Sequence, residues 1–221
     1  MADNYLERKM EDLRRGTPSS SPKSLGGPRK GYVQFPFPPR KIMMAGIDPD
    51  LALSIIREFS KTGCKITFLH SDAEAGMRFA KDEGVRFCRL SNEDACALEK
   101  AFDETIKAWR EIDVIICPPS IAAVLGGRWE NHLNSIPIPR SYRSRMILLA
   151  GCNDNEALTS ALNDIRFDSI YLNGIQISRG VRKAEENMPA TKARPEDVAR
   201  IVVFLSLPAN DCIAGNIINL S

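Results

Sequence analysis

The stretch from Lys41 to Asp72, KIMMAGIDPDLALSIIREFSKTGCKITFLHSD, decides the fold. Lys41–Ala45 is a nearly continuous apolar run, which predicts a strand buried on both faces, since a half-exposed strand would alternate. Asp48-Pro49 reads as an N-cap followed by proline at the first helical position, where a missing N–H is no loss. An amphipathic helix over Pro49–Thr62 follows, then a second apolar strand, Lys65–Leu69. A helix between two such strands forms a crossover and makes them parallel.

The same alternation continues to the end of the chain. Further strands are predicted at Arg86–Arg89, Val114–Cys117, Met146–Ala150, Ser169–Ile175 and Ile217–Leu220. Helices are predicted at Asp72–Glu83, Asn92–Arg110, Asn155–Ile165 and Pro195–Leu205. The expected fold is α/β: a parallel sheet covered on both faces, forming a single domain over residues 41–221, with an N-terminal arm before it. In such sheets a ligand sits in the crevice at the carboxyl ends of the strands.

Outward from this core the composition changes. The 221 residues carry a formal net charge of +2, split unevenly, with +5 on residues 1–41 and −3 on the rest. Residues 1–15 read as a short amphipathic helix with Leu6, Met10 and Leu13 on one stripe. Residues 16–40 are a Pro/Gly/Ser-rich linker ending in FPFPP, with Phe35 and Phe37 as anchors. Lys23, Arg29, Lys30, Arg40 and Lys41 read as a solvated basic tether, and the slightly acidic core argues against nucleic acid. The Tyr5–Lys9 spacing matches YxxxK but lies on the arm, outside any strand–helix context.

Other classes fall away on similar grounds. The start MADNYLERKMEDLRR has no secretory apolar region, and no apolar run approaches the roughly 18 residues of a membrane span. The six cysteines lie scattered with no CxxC pair, so they read as reduced thiols in a cytoplasmic protein. With only His70 and His132 present, no zinc site is expected.

The order KIMMAGIDPD, EIDVIIC, SIYLNGI and RPEDVARIVVFLSLPANDCIAGNIINL resembles the short-chain dehydrogenase/reductases across residues 41–220. The PEDVA helix followed by IAG and a last strand is its most distinctive part. The resemblance implies a Rossmann-type, doubly wound parallel sheet in the order 3-2-1-4-5-6-7 and an NAD(P) site. By position alone, the cofactor-facing residues would be Gly46, Ile47, Leu51, His70, Ser71, Leu90 and Cys117.

The departures are as informative as the matches. The family's TGxxxGxG falls on Ala45, Gly46, Asp50 and Ala52, so only Gly46 remains. An Asp48 cap would occupy the N–H donors that a pyrophosphate needs, and Asp50 would add a second negative charge. His70 and Ser71 stand at the ribose-selecting position, with Asp72 next, and Arg89 stands where the family has Asp after strand three. Cys117-Pro118-Pro119-Ser120 replaces NNAG, and Ile177-Ser178 replaces the nicotinamide-facing Pro-Gly, although Asn173 matches.

The family's proton relay is a Ser on strand five with a YxxxK pair, in which Lys lowers the Tyr pKa. Here strand five ends at Gly151-Cys152, the next helix contains no Tyr, and no Lys occurs from Ala108 to Arg182. Tyr142 precedes the strand and matches neither position nor spacing. The chain is also short between strands four and five and between Gly180 and Arg194, where a substrate lid would stand. A thiol chemistry of Cys117, Cys152 and His70 is the other option, against which buried strand-end cysteines are ordinarily inert. No catalytic residue is assigned and no cofactor expected, the alternative being an NAD- or NADP-dependent oxidoreductase with an atypical turn. The expectation is a non-catalytic scaffold, a homo-oligomer or a hetero-oligomer with a related dehydrogenase, associating through Asn155–Ile165 and Pro195–Leu220.

Overall fold

The computed structural model describes residues 37–90, 95–136, 144–177 and 193–220. The arm helix, most of the linker, Tyr142 and Ser178 lie outside these residues. Seven strands form one sheet: β1 Lys41–Ala45, β2 Lys65–His70, β3 Arg86–Arg89, β4 Val114–Cys117, β5 Ser144–Gly151, β6 Ile170–Ile177 and β7 Ile217–Leu220. Their order is β3-β2-β1-β4-β5-β6-β7 and every pairing is parallel.

Helices cover both faces: α1 Pro49–Ser60, α2 Ala73–Asp82, α3 Ala95–Trp109, α4 Pro119–Asn134, α5 Asn155–Asp164 and α6 Pro195–Leu205. Side chains alternate across each strand, so the central strands feed two cores. Met43, Leu69, Ile115 and Met146 pack under α3, α4 and α5. Ile42, Phe68, Ile116 and Ile147 pack under α1, α2 and α6. The switch point, where the strand order reverses, lies between β1 and β4, and the turns after these two strands form the crevice.

Two expectations need correction. The reading left the segment between β4 and β5 without a helix, yet α4 spans 16 residues there. Its glycine pair, Gly126-Gly127, resembles a break, but the bare Cα of Gly126 is what admits the Phe167 ring. A Cβ there would lie 2.1 Å from Phe167 Cζ. The basic tether also ends earlier than the charges suggest. Arg40 is buried at 1% exposure, and its carbonyl accepts from Lys65 N–H at 2.8 Å, extending the β1–β2 pairing. Lys41 Nζ donates to Glu111 Oε1 at 2.5 Å and to the Trp109 carbonyl at 3.0 Å, closing the end of α3. The compact unit begins at Phe37, which packs on Phe59 with ring centroids 5.9 Å apart.

Buried charge also ties down the last part of the sheet. Arg145, fully buried on β5, donates to the Pro208 carbonyl at 3.1 Å and stands over the Tyr171 ring at 5.6 Å. It thereby anchors the 3-10 segment Pro208–Ile213 between α6 and β7. No helix among the described residues is long and apolar enough to cross a membrane.

Candidate functional site

The crevice is built from the turns that follow the strands. After β1, Gly46 adopts φ 64°, a conformation cheap only for glycine, and its N–H donates to the Leu69 carbonyl at 3.2 Å. The chain then reverses into α1. Asp48 caps this helix, with Oδ1 accepting from Asp50 N at 3.1 Å and Leu51 N at 3.3 Å. Pro49, at the first position, has no N–H to offer. Ala52 N donates to the Asp48 carbonyl at 2.8 Å as the first regular helical bond. Each N–H of the first turn is therefore absent or engaged.

The second turn closes in the same way. Asp72 caps α2, accepting from Glu74 N at 2.9 Å and Ala75 N at 3.0 Å. Its own N–H donates to His70 Nδ1 at 3.0 Å, so Nδ1 carries the lone pair. The imidazole stacks on Phe68, centroids 5.5 Å apart and planes 8° from parallel. His70 thus belongs to the capping arrangement, half-buried against an aromatic partner.

On the far side of the switch point, β4 runs into Pro118 and α4. A Cβ on Gly46 would meet the Pro118 ring at 3.3 Å and the Ile121 methyl at 3.6 Å. Pro118 and Ile121 thus pack against Gly46 at the switch point. After β5, a 3-10 turn over Cys152–Asp154 leads straight into α5, and Asp154 Oδ2 accepts from Gly151 N at 3.2 Å.

The residues assigned by position are distributed as follows. Gly46, Leu51, His70 and Ser71 line the turns after β1 and β2, Ser71 being exposed and Leu51 half-buried. Ile47, Leu90 and Cys117 point into the interior, at 3%, 2% and 0% exposure, so only their backbone borders the crevice. Burial pushes the Cys117 thiol up to about 12, and it stays protonated at neutral pH. In that state it is neither nucleophile nor redox centre. The side chain of Cys152 lies outside the described part. His132 stands away from the crevice on α4, edge-on to Phe102 at 6.2 Å. The part of Pro118 was missed because the Pro-Pro pair was read only as lost family sequence. Pro119, at the first position of α4 with Pro118 as its N-cap, was the available signal.

A dinucleotide does not fit these residues. The pyrophosphate would find the α1 N–H groups taken, a carboxylate in its place, and Asp50 beside it. At an intermediate dielectric, two like charges about 4 Å apart repel by several kcal/mol.

No protein-family model and no curated protein matches the sequence. Solved structures do match, by shape. A short-chain glucose/ribitol dehydrogenase from Brucella melitensis superposes with a TM-score of 0.68 at 17% identity, over 85% of this chain and 97% of that one. An NADH-dependent reductase, A1-R', solved in complex with NAD, gives 0.68 at 13% identity, over 83% and 96%. A hydroxysteroid dehydrogenase from Escherichia coli gives 0.65 at 15%, over 82% and 95%. The chain has the fold of the short-chain dehydrogenase/reductases, in a divergent sequence.

Proposed function

We propose that this chain is a non-catalytic relative of the oxidoreductases whose fold it shares, a cytoplasmic scaffold that acts by association. Its partner would be a second copy or a related dehydrogenase. The observation that carries the reading is the missing proton relay. β4, α4, β5, α5 and β6 contain no Lys, and the turn after β5 is occupied by its own Asp154 contact. A Tyr acting as general acid needs a nearby cation to lower its pKa, and these elements supply no Tyr–Lys pair. The central strands β1, β4 and β5 are buried along almost their whole length, which supports a fold kept without the chemistry.

The alternative, an NAD(P)-dependent oxidoreductase with an atypical turn, draws on the similarity to a reductase complexed with NAD. NADH and NADPH titrated into the full chain and followed by nucleotide fluorescence separate the two. The proposal expects no saturation at millimolar cofactor, whereas saturable micromolar binding would establish the alternative. Mass in solution tests association, with a strict monomer that captures no related dehydrogenase counting against it.

A further inference from the structure

We infer that Asp48 is a built-in substitute for an anionic ligand, so the chain itself closes the crevice that this fold ordinarily keeps for a nucleotide. The inference rests on reading the crevice as one that takes no dinucleotide, and goes on to name the group responsible. Three observations support it.

The first is the donor inventory at α1. Pro49 lacks an N–H, Asp50 and Leu51 donate to Asp48 Oδ1, and Ala52 donates to the Asp48 carbonyl. A helix N-terminus attracts an anion through such donors and through its dipole. A covalently attached carboxylate satisfies both without the entropic cost of capturing a free ligand. The second is the opposite wall, where the Pro118 ring and the Ile121 methyl stand against Gly46. The third is repetition: α2, the neighbouring helix on the same rim, is closed by Asp72, and Asp72 is in turn held by His70. Charged groups on these two helix starts are Asp48, Asp50, Asp72 and Glu74, all acidic, while Arg89 stands at the end of β3 in register with His70.

The closed crevice has a consequence for stability. The apo chain is the finished form, and no nucleotide is needed to complete the α1 end. Thermal unfolding of the full chain with and without inorganic pyrophosphate tests this in three proteins. The wild type should show no rise in Tm at millimolar pyrophosphate, because the donors are taken. Asp48→Ala should melt about 2–4 °C lower for the lost cap and should recover part of that loss when pyrophosphate is added. Asp48→Asn makes the same change of charge but keeps a capping oxygen. It should fold like the wild type and remain insensitive to pyrophosphate, which separates occupied donors from simple repulsion.

A wild-type Tm that rises with pyrophosphate would overturn the inference, as would an Asp48→Ala protein equal in stability to the wild type or indifferent to pyrophosphate. The outcomes are distinguishable from failure of the functional reading. NADH binding together with the expected pyrophosphate pattern would overturn the scaffold assignment and leave the closure by Asp48 standing.

Discussion

Gly126 and Asp48 show how differently the interior and the rim of this molecule are held. In the interior, the Phe167 ring lies where a Cβ of Gly126 would be, and the Phe87 ring does the same to Gly76. These contacts join different segments, 41 residues apart for Gly126 and 11 for Gly76, and depend on shape. At the rim, Asp48, Asp72 and Asp154 satisfy N–H groups within three residues of themselves. Those contacts depend only on local backbone geometry. The interior is therefore the part that cannot change without cost. The rim can exchange a ligand for a side chain and leave the fold intact, the exchange proposed above for Asp48.

If that division is correct, substitutions should rank by region. Trp129, fully buried on α4, should be the most costly to truncate. Trp129→Ala is expected to lose about 3–5 kcal/mol in denaturant unfolding, and a loss below about 1 kcal/mol would show that α4 is not part of the core. Gly126→Ala comes next. The added methyl must displace the Phe167 ring, at a cost of about 1–3 kcal/mol. Combining it with Phe167→Ala should relieve the clash, so that the double variant loses less than the sum of the two single losses, and strictly additive losses would break the claim of direct contact.

Changes outside the core should be smaller and of either sign. Arg110, just past α3, is the one non-glycine at positive φ among the described residues, at 67°. Arg110→Gly should stabilise by about 0.5–1 kcal/mol, because glycine reaches this conformation without the Cβ clash. A destabilised variant would mean that the arginine side chain is held by contacts of its own.

The smallest effect is expected at Asp197. Hydrogen bonding from Arg194 holds its carboxyl below the ordinary carboxylate value, with help from the Arg194 and Arg200 charges. A lowered folded-state pKa gives stability that is present above the unfolded-state value and is lost as pH falls through the folded-state value. Asp197→Asn should thus melt slightly below the wild type at neutral pH, and the gap should close in acid below the carboxylate range. A gap independent of pH would assign the effect to capping geometry instead. The group is exposed, so screening keeps the effect small.

Much of this was legible in the sequence alone. Seven strands were placed to within two residues at each end, and their order followed from the resemblance. The Asp48 cap was legible because a cap and a proline at the first helical position are local signals that need no partner elsewhere. The missing Lys over residues 108–182 needed only counting.

Other features were decided by tertiary structure. α4 was not predicted, since Gly126 makes sense only with Phe167 beside it. Arg40 reads as a solvated charge until the sheet buries it, and the burial of Arg145, whose guanidinium is received by a carbonyl of a distant segment, has no local signal. Pro118 became part of the crevice wall only when the β1 and β4 turns came together at the switch point. Local order is written in short-range hydrogen bonding and periodicity, which a sequence displays directly. Which surfaces meet is settled by packing among residues far apart in the chain, and that packing exists only once the sheet has assembled.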